Sequence, residues 1–285
     1  MYREVEEINS MAQQQQQQRA QQAQQQAVLA DVNILASTHQ LGMLQAQYKA
    51  KLAVLNARLV VILTLLGILG GAALIGASIL SHVTLFAGIV SSESALGLIL
   101  LIAGIWLGFN ALRYYGLRVY VFTEGLVQVK GNKTTVVRWD QIKTIWQKVQ
   151  KRFISSFYIG TVHRYTAQQA NGKKITFDDG LKNIEGLGNT LTREVTSRLL
   201  PELIATYDAG DPITFGKLRI SMHGISIGEE ILLWNQIKGV QVTKGVLAIN
   251  KDGQWLNWPS IKAAKIANFP LFLALVNHVI SKSTP

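Results

Sequence analysis

The stretch "RWDQIKTI" at residues 138–145 returns as "LWNQIKGV" at residues 233–240, so Trp-x-Gln-Ile-Lys occurs twice, 95 positions apart. The whole chain has only six Trp, which makes a chance repetition of this phrase improbable. Self-similarity at a distance indicates a duplicated structural unit. Trp and Ile stand three residues apart in each copy, and we predict that both side chains point into a core: Trp139 and Ile142 in the first copy, Trp234 and Ile237 in the second.

The residues around the phrase repeat as well. Each copy begins with Leu-Arg, at Leu117 and at Leu218, and continues as a β-rich run. A Gly followed by an aliphatic residue comes next, at Gly125 and Gly224, and then a short strand, a polar turn and a strand that ends in Trp. Alternation of β-branched and polar residues predicts strands rather than helices in both copies.

Each copy then has a hairpin and a helix. Asn171-Gly172 and Asp252-Gly253 are dipeptides typical of two-residue hairpin turns, because both positions need positive φ. In the second hairpin this register predicts that Leu247 faces Trp258 and Ile249 faces Leu256. Asn183 and Asn268 are expected to cap helices whose apolar residues recur every three or four positions.

These features resemble those of bacterial membrane-anchored proteins with tandem pleckstrin-homology-like (PH-like) domains of unknown function. The resemblance implies an α+β fold with PH-like units at 113–209 and 210–285, each an antiparallel sheet or partial barrel capped by its C-terminal helix. The second copy is short for such a barrel, so it is expected to be a reduced barrel or to share strands with the first. The matching residues are Gly125, Trp139, Ile142 and Asn183, and again Gly224, Trp234, Ile237 and Asn268.

Residues 59–112 are predicted to form a transmembrane hairpin. The segments 59–80 and 94–112 carry no charged residue and are long enough to cross a hydrocarbon core about 30 Å thick. Lys and Arg flank the hairpin on its outer sides, and residues 81–93 contain neither. The positive-inside rule therefore places both termini in the cytoplasm, at the plasma membrane. The spans have no ionisable residue, which favours an anchor over a transporter.

Each span contains Gly-x-x-x-Gly, Gly67–Gly71 in the first and Gly104–Gly108 in the second. Small residues at this spacing allow two helix backbones to approach closely. The motifs indicate either a packed hairpin or a dimer face, and the frequency of Gly in membrane helices is an equally good explanation.

Residues 1–58 are predicted to form a helical arm. Eleven of the 14 residues at positions 13–26 are Gln, a low-complexity tract that a solvated helix accommodates. Downstream, a ragged spacing of three and four predicts one helix face that runs into the first span, either as a weak coiled coil or as a surface helix. Its residues are Ile34, Leu41, Leu44, Tyr48 and Leu55.

The formal net charge of +11 is concentrated around the first copy of the phrase, where residues 113–200 hold 15 Lys and Arg against six Asp and Glu. Such an excess attracts anionic headgroups or acidic partners, although topology alone also produces a basic cytoplasmic face. Nucleic acid is not expected, since aromatic residues are not interleaved with the charges. The candidate contact residues for an anionic ligand or a partner are Lys148, Lys151, Arg152, Lys173 and Lys174.

No catalytic, cofactor or metal signature is present. The chain has no Cys, which excludes disulfides, thiolate metal sites and Cys nucleophiles. The five His lack metal-ligand spacing, and the adjacent carboxylates of Asp178 and Asp179 are a poor acid–base pair in a strand. We therefore expect a non-enzymatic membrane-anchored adaptor that binds protein or anionic lipid. The alternative is an oligomeric structural membrane protein assembled through the arm and the Gly-x-x-x-Gly spans.

Overall fold

The computed structural model has an α+β fold in which two related units follow one another and a pair of long apolar helices interrupts the first. It describes residues 2–51, 57–81, 92–114, 116–154, 157–243, 245–251, 254–256, 258 and 261–283. Three helices precede most of the strands: α1 (Tyr2–Thr38), α2 (Ala57–Ser81) and α3 (Ser92–Tyr114).

The first unit consists of a four-stranded and a three-stranded antiparallel sheet covered by one helix. The sheets have the strand orders β1-β2-β3-β4 and β5-β6-β7. Their inner faces and the helix enclose one buried core. The strands are β1 (Leu44–Lys49), β2 (Arg118–Phe122), β3 (Gly125–Lys130), β4 (Lys133–Arg138), β5 (Ile142–Ile154), β6 (Phe157–Gln169) and β7 (Lys174–Asp178), and the helix is α4 (Ile184–Asp208).

The second unit repeats this plan. Within the described residues it has a four-stranded sheet, β8-β9-β10-β11, a three-stranded sheet, β12-β13-β14, and a covering helix. The shorter sequence is accommodated by shorter strands, and the sheets of the second unit take no strand from the first, so the expectation of shared strands is wrong. The elements are β8 (Ile213–Phe215), β9 (Leu218–Ser221), β10 (Gly224–Ile227), β11 (Glu230–Leu233), β12 (Ile237–Thr243), β13 (Val246–Lys251), β14 (Gln254–Leu256) and α5 (Phe269–Ser283).

The repeated phrase lies at the same corner of both units. Trp139–Gln141 and Trp234–Gln236 each form one turn of 3₁₀-helix directly after a strand. This turn carries the chain from the four-stranded sheet into the three-stranded sheet. Ile142 and Ile237 are the first residues of the next strand, and both are buried as predicted.

The two Trp side chains hold this corner through the same hydrogen bond. The Trp139 indole N–H donates to the carbonyl of Phe122 at 3.3 Å, and the Trp234 indole N–H donates to that of Ser221 at 2.8 Å. Trp139 is buried as predicted, with 1% of its surface exposed, whereas Trp234 is only half-buried against the second core. Trp234 is therefore less buried than the sequence predicts.

Gly occurs at the same place in both copies because the backbone of a neighbouring strand lies very close to it. A Cβ on Gly125 would overlap the carbonyl oxygen of Val137 on β4, and a Cβ on Gly224 would overlap that of Leu232 on β11. Each Gly begins the third strand of its four-stranded sheet, where the neighbouring strand passes too close for a side chain.

The predicted helical arm is wrong over residues 44–49, which form β1 and pair with β2. Helix α1 ends at Thr38, Leu41 is buried in the following turn, and Tyr48 contributes to the first core. By strict alternation Leu44 and Tyr48 would share a face, but a β-bulge between Leu44 and Ala46 turns Leu44 to the other side, so Tyr48 is buried while Leu44 is exposed. Leu55 lies outside the described residues.

The end of α1 packs on the outer face of the first four-stranded sheet. Val32, Ala36 and Leu41 are buried there against Tyr120 and Phe122. Ile34, which the predicted seam included, is exposed instead. The apolar face at the end of α1 is therefore buried within the same chain. Its residues Val32 and Ala36 are four positions apart, so they lie on one side of the helix.

The helices α2 and α3 form an antiparallel pair. A Cβ on Gly67 would lie 2.9 Å from the Cα of Gly104, and a Cβ on Gly108 would lie 2.9 Å from the Thr64 side chain. Both Gly-x-x-x-Gly motifs therefore face the partner helix of the same chain, in agreement with the packed-hairpin interpretation. Segments Val61–Leu80 and Ser94–Tyr114 are long and apolar enough to cross a membrane.

The predicted caps and hairpins agree in part with the structure. Asn183 caps α4, since its Oδ1 accepts from the N–H of Gly186 at 3.2 Å. Ile249 faces Leu256 as predicted. Leu247 does not continue that ladder opposite Trp258, because its N–H donates to the carbonyl of Ile261. Asp252 and Gly253 lie outside the described residues, between the paired Lys251 and Gln254.

Candidate functional site

The apolar hairpin leaves the first unit between two neighbouring strands. Just beyond the β1–β2 ladder, the N–H of Ala50 donates to the carbonyl of Leu117 at 3.1 Å. In the second unit the corresponding strands β8 and β9 are joined by Gly216 and Lys217 alone. Helices α2 and α3 thus take the place of a two-residue turn. The chain enters α2 and leaves α3 at the same end of the β1–β2 pair.

The backbone at this point is also tied to the segment before α4. The N–H of Lys51 donates to the carbonyl of Gly180 at 2.7 Å, and the N–H of Lys182 donates to that of Lys49 at 2.8 Å. Ala50 and Leu181 form the bridge between these two bonds. The chain is therefore fixed on both sides before it enters α2.

The last turn of α3 is clamped to the end of β7 by a carboxylate. Arg113 Nη2 donates to Asp178 Oδ2 at 3.0 Å, and the Tyr114 hydroxyl donates to Asp178 Oδ1 at 2.8 Å. The Arg113 guanidinium also lies over the Tyr114 ring, 5.5 Å from its centre. Gly180 leaves room for that ring, which a Cβ would overlap. This carboxylate–guanidinium–phenol clamp couples α3 to the second sheet.

Asp179 has a different partner from Asp178. It accepts a hydrogen bond from the backbone N–H of His163 at 3.0 Å, and one of its oxygens lies 3.7 Å from Nδ1 of the same His. Both carboxylates of this pair are therefore engaged in holding the sheet end together.

Basic side chains surround the point where the hairpin leaves the sheet. The β3–β4 turn reaches it, because a Cβ on Gly116 would lie 3.2 Å from the nitrogen of Gly131. We call the exposed basic residues around this point the hairpin-side rim. A ring of cations at the ends of two apolar helices is typical of a cytoplasmic membrane boundary. The rim consists of Lys49, Lys51, Arg113, Lys130, Lys133 and Lys182.

The five basic residues predicted as a contact site lie at two ends of the second sheet. Strand β5 runs in the same direction as β7, because each is antiparallel to β6. Lys148 lies in the cross-strand row of Arg164 and Asp178, next to the α3 clamp, and Lys151 and Arg152 lie beyond it. Lys173 and Lys174 lie at the opposite end, roughly 23 Å from Lys151 along the strands.

Lys174 has a partner of its own at that far end. Its Nζ lies over the Trp146 ring, 5.2 Å from the centre, in a cation–π contact. The structure thus brings together Lys148, Lys151 and Arg152 and separates them from the other two candidates.

Past the Asp178 row, β5 and β6 continue without β7 as a two-stranded projection, which we call the ribbon (residues 149–154 and 157–163). Near its tip Phe157 is 78% exposed and Tyr158 is 57% exposed, and Val149 on β5 is 48% exposed. The chain between Asp140 and Asp178 contains seven Lys and Arg and no Asp or Glu. The ribbon therefore combines exposed aromatic rings near its tip with Lys and Arg on β5, and it contains no Asp or Glu of its own.

The second unit has a pocket of about 300 Å³ beside β11 and β13. The Trp258 indole N–H donates to Glu230 Oε2 at 2.8 Å across one side. Ile231 on the edge strand is half exposed beside it. The lining residues are Glu230, Ile231, Leu232, Gln236, Ile249, Lys251 and Trp258.

Helix α4 is held to the first sheet by ion pairs. Arg198 bridges Glu194, at 2.6 Å, and Glu124 in the β2–β3 turn, at 3.0 Å. Burial by itself would raise the pKa of the Glu194 carboxyl, but hydrogen bonds from Arg198 and Arg193 outweigh it, so this pKa is lowered. Glu194 is therefore an anion at neutral pH with a structural role.

Asn268 links the second unit to the first instead of capping α5 with its side chain. Its Oδ1 accepts from the N–H of Ile145 at 2.6 Å, and its Nδ2 donates to the carbonyl of Lys143 at 2.8 Å. Its own N–H donates to the carbonyl of Ile145, and its φ is 51°. The amide thus imitates a neighbouring strand along the edge of β5.

We expect Asn268→Gly to loosen the contact between the two units. Gly retains the left-handed φ but loses both side-chain hydrogen bonds, which together stabilise by about 1–3 kcal/mol. Calorimetry should then show two separate unfolding transitions, or a single one at lower temperature. Asn183→Gly is the matched control, since that Asn also has positive φ but lies within the first unit. Equal effects of both substitutions on separation of the units would contradict the inter-unit role of Asn268.

His, Asp and Glu side chains in the described part of the chain are not grouped as metal ligands. No group of three or more His, Asp or Glu there could hold a metal ion. His278 lies half-buried in α5 with an Nε2 that has no hydrogen-bond partner. His163 contacts only the structural Asp179 among the acids described.

The family model that matches this chain describes a family of unknown function, DUF6585, and covers residues 11–285. The chain belongs to the DUF6585 family. No curated protein and no solved structure matches it. Membership in DUF6585 thus extends over the Gln-rich arm, the apolar hairpin and both units, and it carries no activity with it.

Sequence reasoning missed the hairpin-side rim and the clamp. Lys49 and Lys51 flank a span in the sequence, but their place beside Lys130 follows from the pairing of β1, β2 and β3, and their place beside Lys182 follows from its backbone hydrogen bond to Lys49. The sequence gives Asp178 no role beyond that of a poor acid–base pair with Asp179, because its bonds to α3 span 64 and 65 positions of sequence. The signal that could have found β1 was the alternation in "LQAQYK", residues 44–49.

Proposed function

We propose that this protein is a non-enzymatic membrane-anchored adaptor with two PH-like units on the cytoplasmic side. One observation carries the proposal: the apolar hairpin is inserted between two hydrogen-bonded strands of the first unit. Strands β1 and β2 pair directly, so both ends of the hairpin must lie on one side of any membrane that it crosses. The first unit is then held against the membrane surface at two points.

The PH-like assignment is supported by the plan of each unit. Two antiparallel sheets of four and three strands with a covering C-terminal helix occur twice in order. A fold of this kind presents surfaces for binding without requiring catalytic groups, although function must be argued from sites rather than from the fold. Three surfaces are candidates here: the hairpin-side rim, the ribbon and the pocket beside β11.

The oligomeric alternative loses two of its supports. The Gly-x-x-x-Gly faces are occupied by the partner helix of the same chain, and the end of α1 is occupied by the first sheet. We therefore favour the adaptor, whose binding partner is a protein or an anionic lipid.

A cysteine-accessibility experiment tests the membrane arrangement. The chain has no Cys, so single substitutions report without background. We expect Gln13→Cys and Asn189→Cys to react with a membrane-impermeant maleimide only in inverted vesicles, and Ser91→Cys, between the two helices, only in right-side-out vesicles. Alkaline carbonate should leave the protein in the membrane fraction.

Two results would contradict the proposal. Release by carbonate would exclude the anchor, and labelling of Gln13→Cys and Asn189→Cys from opposite sides would exclude the inserted hairpin. The adaptor part is tested by a photoreactive residue at Ile231, with Asn189 as the control position. A stoichiometric protein adduct at Ile231 alone would support a protein partner at the pocket, and adducts of equal yield at both positions would count against one.

A further inference from the structure

We propose that the ribbon is a lipid-contact element whose aromatic tip enters the interface of an anionic bilayer, the same bilayer that holds α2 and α3. The inference rests on the proposed function, because it assumes that the hairpin spans a membrane. It goes further by naming the ligand, an acidic lipid surface, and by restricting the contact to one end of the second sheet.

The first argument is direction. Strand β7 ends at Asp178, where the carboxylate binds the last turn of α3. The ribbon extends past that row on the same end of the sheet, for six residues of β5. At about 3.3 Å per residue this is roughly 20 Å of strand that starts at the membrane boundary. The hairpin and the ribbon therefore leave the first unit from the same end.

The second argument is exposure. Phe157 and Tyr158 are 78% and 57% exposed, although large aromatic side chains gain most from leaving water. Aromatic rings are enriched at the level of lipid headgroups, where an apolar ring and a polar edge are both accommodated. The Tyr158 hydroxyl already bonds Thr161 Oγ1 at 2.6 Å, so the polar edge of this ring is satisfied.

The third argument is charge. Lys148, Lys151 and Arg152 are exposed on β5 behind the aromatic tip, and Lys148 faces Arg164 across the strands. Like charges opposite each other are unfavourable in water and are relieved by an anionic surface. Asp178 and Asp179, which border the base of the ribbon, are already bonded to α3 and to His163. An apolar tip with a cationic base is the pattern of interfacial membrane contacts.

A depth measurement on the full chain tests this inference. Phe157→Cys and, at the other end of the sheet, Lys173→Cys each carry one environment-sensitive fluorophore in nanodiscs that contain spin-labelled acyl chains. With discs that include phosphatidylglycerol, we expect the quenching constant at 157 to exceed that at 173 by about fivefold or more. The ratio should fall in discs of phosphatidylcholine alone and at about 1 M salt, where the Debye length is about 3 Å.

Two triple variants that change the net charge by the same amount compare the two ends of the β5-β6-β7 sheet. Lys148→Glu with Lys151→Glu and Arg152→Glu should reduce quenching at 157 to the level found at 173. Lys173→Glu with Lys174→Glu and Lys143→Glu should leave most of the quenching at 157.

Equal quenching at 157 and 173 in every lipid would overturn the inference, and so would a change at 157 that requires an added protein and not acidic lipid. These outcomes are distinct from failure of the anchor, which carbonate extraction and labelling at residues 13, 91 and 189 report independently.

Discussion

A chain in which Asn-Gly replaces residues 51–116 is expected to be soluble and folded, whereas a fragment that begins at Arg113 is not expected to fold cooperatively. Asn-Gly would join Ala50 to Leu117, as Gly216-Lys217 joins β8 to β9 in the second unit. An Asn-Gly pair suits a two-residue hairpin turn, because both positions favour positive φ. The excised chain keeps β1 and its pairing with β2.

The fragment loses everything that β1 and the preceding turn bury. Tyr48 and Ala50 belong to the first core, and Leu41 is fully buried under Gly125. Removal of one large buried side chain costs about 2–5 kcal/mol, and the whole stability of a domain is about 5–15 kcal/mol. Loss of the strand also leaves β2 as an unpaired edge.

Thermal unfolding followed by circular dichroism, together with amide dispersion in NMR spectra, distinguishes the two proteins. The excised chain should show one sharp transition and the fragment a broad one or none. Tyr48→Ala in the excised chain is the control for side-chain loss with the strand retained, and it should lower stability without abolishing the transition. If the fragment melts at the same temperature as the excised chain, β1 is not part of the folded unit.

The two copies of the repeated phrase are expected to differ in energetic importance. Trp139→Ala should reduce the free energy of unfolding by about 3–5 kcal/mol, since it removes a fully buried aromatic ring and leaves a cavity between the two sheets. Trp234→Ala should cost clearly less, because that ring is half-buried and partly in water before the substitution. Its edge contact with Tyr207, at 6.4 Å between ring centres, is the main packing interaction lost.

Urea unfolding of the excised chain measures both losses. Trp139→Phe and Trp234→Phe are the matched controls: each keeps an aromatic ring and removes the indole N–H, which leaves the carbonyl of Phe122 or Ser221 without that donor. Each should cost about 1–3 kcal/mol. A loss from Trp234→Ala as large as that from Trp139→Ala would show that exposure does not set the difference.

Local pattern was sufficient for much of the fold. The duplicated Trp-x-Gln-Ile-Lys, the Gly that precedes it and the Asn before each helix predict two related units in succession, and two sheet-and-helix units occur in that order. The helix cap at Asn183 follows directly from its side chain. The apolar runs at 59–80 and 94–112 coincide with α2 and α3 to within a few residues. These features depend on residues close in sequence, where periodicity and capping act.

The candidate site was less accessible to sequence. Three of the five predicted basic residues, Lys148, Lys151 and Arg152, lie together, and Lys173 and Lys174 lie at the other end of the sheet. The two groups are separated because the chain reverses direction at the Asn171-Gly172 turn between β6 and β7. Lys173 and Lys174 therefore lie at the end of the sheet opposite the ribbon. Strand register, which no single sequence determines, decides which charges share an end.

By itself the sequence determined that this chain has a paired apolar hairpin, a basic central region and a duplicated sheet-and-helix unit, since each of these is written in composition or in short periodic patterns. Only the tertiary structure decided that the hairpin is inserted inside the first unit. The physical reason is that β1 is hydrogen-bonded to β2, where Lys49 pairs with Arg118, 69 positions further along the chain. Strand pairing across such a separation leaves no local trace in the residues that make it.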